Sequence, residues 1–351
     1  MKISAYPSGK YASIGTPDES PRKACNLRSI LTATKSNSDD TKNKGINYED
    51  LRVIKRIDKG KCMIFLANSR KSTKKYALKV FPSTDPKKTS HFFKNEIRFR
   101  DLKHKNVIEM VGYKNRMEMI VDGKKANASY IIMEYAPYKD FCQAILDYDI
   151  FEDDEVLVRT YFHQLIEGIE YLHSQGVYHL DIKLDNMLIG ECFQLKIADF
   201  DNSHVDGDEV IKSKGTKYYR APEIARGKCE NPAAADVYSA GVVLFAMKTG
   251  GFFPHLEDEL FEGINFYELF TEDLSAFWLK QCIVQQRSPK FFSPAFRELI
   301  VSMIAVDPKK RATIDDVKSS EWYNGPIYTP EELKEIMKNK FQKPGSDNTV
   351  T

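Results

Sequence analysis

The spacing of the apolar residues changes once along this chain, and that change limits the fold more than any single motif. Across residues 51–135, short β-branched and aromatic runs are divided by polar turns such as Asp58-Lys59-Gly60-Lys61. The runs at 51–57, Met63-Ile64-Phe65-Leu66-Ala67 and Tyr76-Ala77-Leu78-Lys79-Val80-Phe81 predict an antiparallel meander. Further strands are expected over 107–113, 117–121 and 129–135, the last two joined by the turn Asp122-Gly123-Lys124-Lys125. One helix is expected among them, over 89–103, with Phe92, Phe93, Ile97 and Leu102 as its apolar positions. After Pro137 the period becomes helical. Leu157, Tyr161, Leu165, Ile169 and Leu172 fall on one face, Asp153 or Asp154 stands at the N-cap, and Gly176 lies just past the end. Helices are also expected at 232–249, 266–285, 294–304 and 330–341. In the last of these, Leu333, Ile336 and Met337 share a side that is read as docked on its own domain. Strands followed by helices imply an α+β fold.

Composition narrows the function classes. A chain of 351 residues with 42% hydrophobic and 29% charged residues buries a substantial core, as one large domain or two lobes. A net charge of +2 argues against a globally basic nucleic-acid binder. The six cysteines are scattered without Cys-x-x-Cys spacing and read as reduced thiols in a cytoplasmic or nuclear protein. No apolar run suffices for a membrane span. Residues 1–48, polar and mildly basic, read as a disordered tail in which Thr16-Pro17 and Ser20-Pro21 are possible modification sites.

The chemistry concentrates in residues 179–186, His-Leu-Asp-Ile-Lys-Leu-Asp-Asn. Here a carboxylate (Asp181), an ammonium (Lys183) and a carboxamide (Asn186) precede the apolar anchor Met187-Leu188-Ile189. Phosphoryl transfer requires such groups: a base to orient a hydroxyl, a cation for the moving phosphate, and an amide oxygen for a metal. Alone, the octet is equally consistent with a polar turn, and its partners elsewhere decide between the two.

Those partners occur in order, and with them the chain resembles the eukaryotic protein kinases from about residue 50 to 325. Tyr76-Ala77-Leu78-Lys79 matches the strand whose lysine reaches the α- and β-phosphates, and Glu96 stands where the resemblance implies its ion-pair partner. Asp181 takes the position of the base, Asn186 and Asp199 (in Ala198-Asp199-Phe200) those of the magnesium ligands. Ala221-Pro222-Glu223 closes the activation segment, with Arg311 as the implied partner of Glu223. Asp236 matches a buried aspartate that holds the backbone around His179. The resemblance implies a bilobal fold: an N-lobe over 49–133 with a small antiparallel sheet and one main helix, a hinge at 134–139, and a mainly helical C-lobe over 140–325. A C-terminal helix and loose tail follow over 326–351. It further implies an adenine site: Met133 as gatekeeper, Glu134 C=O and Ala136 N–H on the adenine edge, Ala77 and Leu188 around the ring, Ile57, Gly60 and Phe65 covering it, and Asp140 near the ribose. Lys183 and Thr216, in Gly215-Thr216, indicate a serine/threonine acceptor on proteins, with ATP and magnesium, or manganese, as cofactors. The helical features over 232–325 suggest the calcium/calmodulin-dependent branch, and a monomer is assumed.

Three positions depart from the family pattern. The phosphate loop reads Asp58-Lys59-Gly60-Lys61-Cys62-Met63, keeping only Gly60, which predicts looser ATP binding. Leu180 replaces the arginine that binds a phosphorylated activation loop, which predicts activity without that modification, or control by another route. Ser203 and Ser213 remain as early loop hydroxyls. Asp201 replaces a glycine after Phe200, a change read either as favouring the active loop or as perturbing metal binding. For peptide preference, Asp140 and Asp185 favour basic residues upstream of the acceptor, whereas Ala246 lacks the carboxylate of strongly basophilic members. The rival readings are a catalytically weak or inactive scaffold on the same fold, and a small-molecule kinase, which the Gly215-Thr216 to Glu223 segment disfavours.

Overall fold

The computed structural model describes residues 46–57, 63–83, 90–121, 124–208, 215–227, 229–254 and 263–342. The phosphate loop at 58–62, Ser213, residues 1–45 and residues 343–351 lie outside that description.

Five strands form the N-lobe sheet: β1 (Leu51–Arg56), β2 (Met63–Ser69), β3 (Lys75–Ser83), β4 (Met110–Val121) and β5 (Lys124–Glu134). All neighbours are antiparallel, in the order β1-β2-β3-β5-β4. Period-2 alternation gives the sheet two faces. Phe65, Leu78, Val80, Tyr130 and Ile132 pack on the outer one, while Ala77, Ile131 and Met133 join the core shared with the C-lobe. Residues 107–121 were expected as two strands. From Met110 they form one, which absorbs register shifts between Met110 and Gly112 and between Lys114 and Met117, with Arg116 at φ 52°. Val107 instead makes an isolated parallel bridge to Ile197. Residues 46–48, grouped with the tail by composition, pack on this sheet: Ile46 N–H donates to Val111 O at 3.0 Å, and Tyr48 is buried with its N–H on Tyr130 Oη.

The helix expected over 89–103 is shorter. Helix α1 spans His91–Glu96 and tightens into a 3₁₀ turn, Ile97–Phe99, which turns Phe99 inward onto Phe200 with ring centroids 5.4 Å apart.

The C-lobe begins with α2 (Phe141–Tyr148) and α3 (Glu155–Ser174). Helix α2 went unpredicted although Asp140 caps it and Phe141, Ala144 and Ile145 carry helical spacing. Asp154 Oδ1 accepts Leu157 N–H at 2.9 Å, and all five apolar positions read on α3 are fully buried. Two short ladders follow, β6 (Val177–Tyr178) with β9 (His204–Val205), and β7 (Met187–Ile189) with β8 (Leu195–Ile197). Helices α4 (Pro222–Ala225), α5 (Pro232–Thr249), α6 (Phe266–Glu272), α7 (Leu274–Val284), α8 (Pro294–Met303) and α9 (Ile314–Ser319) complete the lobe. The single helix expected over 266–285 is broken at Asp273, whose backbone is non-helical and whose carboxylate caps α7 through Ala276 N–H. Helix α5 is apolar on all sides because it runs through the middle of the lobe.

The last described helix, α10 (Pro330–Phe341), opens with a Thr329–Glu332 capping box. Leu333 and Met337 are buried, Ile336 half-buried, and Phe341 lies against Tyr148, Tyr138 and Phe193 with centroids 4.6, 5.5 and 5.9 Å away. Its apolar side is therefore covered by its own domain, beside the connection between the lobes.

Candidate active site

The β7–β8 hairpin brings the polar octet to its partners. Ala198 N–H donates to Asn186 O at 2.9 Å, so the ladder that pairs Met187 with Ile197 carries Asn186 and Asp199 to the same end. Behind them Asp236, fully buried on α5, fixes the backbone. Its Oδ2 accepts His179 N–H at 2.8 Å and its Oδ1 accepts Leu180 N–H at 2.7 Å. These two bonds hold Leu180 at φ 59°, a conformation unfavourable for leucine. The Leu180 side chain is itself buried, so this position offers apolar packing where an anion contact would need a cation. His179 Nε2 bonds Ala198 O at 3.1 Å, and its ring packs edge-on against Phe200.

Asp181 is the focus of the site. Its Oδ1 accepts the Thr216 N–H (2.9 Å) and hydroxyl (2.8 Å), while Oδ2 receives Lys183 Nζ at 3.0 Å and the Asn186 and Asn202 amides at 3.3 Å each. Lys183 Nζ also donates to Thr216 Oγ1 at 2.9 Å. Gly215 makes this closure possible. At φ +87° it passes so close to Leu180 O that a Cβ would lie 2.7 Å from that oxygen. Ser203, one of the two loop hydroxyls, is fully buried and donates to His179 O, so it faces inward.

Lys79 Nζ lies 2.6 Å from Glu96 Oε2 and 2.9 Å from Asp199 Oδ1. Burial favours a neutral Lys79, but the charges of Glu96 and Asp199 outweigh it and hold its pKa above the ordinary lysine value. Asp199 and Asp201 separate in the opposite sense. Burial acts to raise Asp199, yet Lys79 brings it below the usual carboxylate range, whereas burial and the Asp199 charge both raise Asp201. Asp199 is thus held more firmly in its ionised form than Asp201. Asp201 also turns its backbone carbonyl to Asn95 Nδ2 at 2.6 Å, tying the loop to α1.

The atoms left over suit a hard divalent cation. Both amide bonds of Asn186 go to Asp181, one to its carbonyl at 2.9 Å, which leaves Asn186 Oδ1 with no hydrogen bond among the described residues. Lys79 occupies only one carboxylate oxygen of Asp199. One carboxylate and one amide oxygen form a partial shell of the kind magnesium completes with phosphate and water. Among the described residues no cluster of three or more His, Cys, Asp or Glu side chains has metal-site geometry.

The adenine-site positions divide. Ala77 and Met133 face each other across β3 and β5, and Leu188 is half-buried on β7. Glu134 ends β5 with its carboxylate engaged by Glu109 N–H and Lys196 Nζ, and Ala136 lies half-buried just beyond. Ile57 is exposed, its N–H on Ile64 O. Asp140 caps α2, accepting Gln143 N–H at 2.7 Å, and burial raises its pKa. Phe65 requires correction. It pairs with Leu78 on the outer face and is fully buried there, whereas Ile64, opposite Lys79, lies on the inner face. A one-residue offset exchanges the two faces of a strand. Gly60 lies outside the described residues.

At the base of the segment, Arg311 meets Glu223 through two bonds of 2.6 and 3.0 Å and also donates to the Ala234 and Ala305 carbonyls. Ala246 is fully buried in α5. The sequence did not single out Asn95, Arg98, Asn202 or Asp208; Asn95 and Asn202 adjoin Glu96 and Asp201, which was the available signal for those two, and Arg98 and Asp208 carried none.

A family model for the protein kinase domain matches residues 52–323. Similar curated proteins include CBL-interacting protein kinase 11 of Oryza sativa subsp. japonica, 32% identical over 234 residues, which are 65% of this chain and 41% of that protein. CBL-interacting serine/threonine-protein kinase 8 of Arabidopsis thaliana is 34% identical over 208 residues, 58% of this chain and 42% of its own. Serine/threonine protein kinase OSK3 of Oryza sativa subsp. indica is 33% identical over 196 residues, 55% of this chain and 35% of its own. The match thus spans less than half the length of these relatives.

Proposed function

The chain belongs to the protein kinase family, and from that premise we propose that it transfers the γ-phosphate of ATP to serine or threonine hydroxyls of proteins. The convergence of Lys183 and Thr216 on Asp181 carries this reading. It gathers a carboxylate, an ammonium and a hydroxyl within hydrogen-bonding distance of one another, which supports a meeting point for an incoming hydroxyl and a moving phosphoryl group.

Asp181 orients the acceptor hydroxyl and receives its proton as the new O–P bond forms and the bond from the γ-phosphorus to the bridging oxygen breaks, ADP leaving with that oxygen. Lys183 neutralises charge on the transferred group, and Thr216 keeps both side chains in register. Lys79, held by Glu96, aligns the nucleotide phosphates. Asp199 and Asn186 are the residues that would hold magnesium, which when bound would supply neutralisation of the charge developing on the phosphate. Leu180 stands where the family's phosphate-binding arginine would be, so activity should need no activation-loop phosphorylation. The phosphate loop with Gly60 alone supports the competing reading of a weakly active scaffold.

The test is acceptor identity. Labelling a mixed basic protein with γ-labelled ATP, followed by acid hydrolysis, should place label on phosphoserine and phosphothreonine. Label on phosphotyrosine, or on small alcohols in place of protein, would overturn the acceptor class.

A further inference from the structure

Helix α1 carries Glu96 but is only six residues long, so its position depends on what ties it down. One tie is apolar, Phe99 on Phe200. A second is polar and runs along the side of the helix next to Glu96. Asn95 Nδ2 donates to Asp201 O at 2.6 Å and lies 3.4 Å from Phe200 O. Asn95 Oδ1 in turn accepts Arg98 Nη1 at 3.1 Å, which sets the orientation of the amide. Arg98 Nη2 reaches both oxygens of Asp208 at 2.8 Å, and Asp208 Oδ2 accepts Val205 N–H at 3.1 Å. Val205 belongs to β9, paired with β6 of the C-lobe. The chain of bonds therefore leads from the helix of the small lobe, past the metal-site loop, to a sheet of the large lobe.

We propose that Asn95, Arg98 and Asp208 form a latch that positions Glu96 and the Asp199 loop together, keeping the site assembled without a modified activation segment. The proposal rests on the phosphotransferase reading above. These are positioning residues: each acts through Glu96 or the loop backbone. The Asp208 carboxylate fits the role. Burial opposes its ionised form, but the bonds from Arg98 and the Val205 amide bring its pKa below the usual value, so it stays anionic near neutrality. Asn95 contributes what a charge cannot, since its amide donates to the loop and accepts from Arg98 at once.

The test uses the full chain with Arg98→Glu, Asp208→Arg and the two combined, plus Asn95→Leu. Two readouts are taken: steady-state kinetics with MgATP, and amide hydrogen exchange over residues 94–99 and 200–205. Each single charge reversal should lower kcat/KM for ATP about tenfold, since a small displacement of aligned groups is costly. Exchange in both segments should accelerate together, and the combined variant should recover part of both losses, because the exchanged pair regains the attraction across the lobes but not the bonds to Asn95 and from Val205. Asn95→Leu should loosen both segments with the Arg98–Asp208 pair intact. Unchanged exchange in the single variants, or no recovery in the combined one, would overturn the latch. A wild-type chain that transfers no phosphate would overturn the phosphotransferase reading, and the exchange data would still decide the latch.

Discussion

Replacing Asp181 by asparagine should lower kcat by about 10²- to 10⁴-fold, the range for losing a positioned general base. The change is nearly isosteric, so its effect is chemical. Among the described residues, every hydrogen bond at the Asp181 carboxylate is one it accepts: two from Thr216, and one each from Lys183, Asn186 and Asn202. An asparagine offers one acceptor oxygen and an amide that donates, so one side of the group would face N–H donors with N–H bonds of its own. The acceptor proton loses its destination, and Thr216 loses part of its tether. KM for ATP should change far less, because Lys79, Glu96 and Asp199 form a separate cluster. Steady-state kinetics with a peptide acceptor reads both numbers. A kcat within a few-fold of wild type would remove Asp181 from the chemistry.

The second large effect is on stability. Arg311→Leu should destabilise the protein by about 3–5 kcal/mol, the usual result of leaving one member of a buried ion pair without its partner. Arg311 and Glu223 side chains are 0% and 8% exposed, so water does little to replace the lost contact. The Ala234 and Ala305 carbonyls lose a donor as well. Combining Arg311→Leu with Glu223→Met should restore much of the loss, since the uncompensated charge accounts for most of it. Urea unfolding monitored through Trp278 and Trp322, which lie in the C-lobe core, measures both variants. A single variant within 1 kcal/mol of wild type would show that the pair adds little.

The two lobes could be read from the sequence because each follows a strong local period. Leu157, Tyr161, Leu165, Ile169 and Leu172 bury one face of α3, and the β3 run from Tyr76 to Phe81 alternates between two apolar environments. What escaped were features set by geometry between elements. The strand β4 continues through its bulges because β5 pairs with it on both sides of each shift, which no propensity encodes. Helix α6 stops at Asp273 because that carboxylate caps the next helix, although the apolar residues continue without a break. Phe65 went to the wrong face because the strand register in the hairpin, not the motif alone, decides which of two adjacent apolar residues points inward.

The site shows the same division. Lys79, Glu96, Asp181, Lys183, Asn186, Asp199 and Thr216 were named from an ordered motif set, and in the structure they form two hydrogen-bonded clusters, one around Lys79 and one around Asp181. Asn95, Arg98 and Asp208 belong to no motif. Their contacts join an N-lobe helix to a C-lobe sheet, so only the folded chain brings them together. Asp201 was ambiguous because the loss of glycine's backbone freedom favours the active loop while the added carboxylate can perturb metal binding. In the structure Lys79 lowers the pKa of Asp199, while burial and the Asp199 charge raise that of Asp201.

The most direct measurement is transfer of label from γ-labelled ATP with magnesium, using the full chain made in a host without protein kinases of this class. Wild type and Asp199→Asn are run side by side on a basic protein acceptor. Transfer by wild type, reduced by at least about 10²-fold in the variant, is the predicted result, because charge neutralisation and positioning supply most of the rate. Equal transfer by both would contradict the assignment of Asp199, and no transfer by either would favour the scaffold reading over the enzyme.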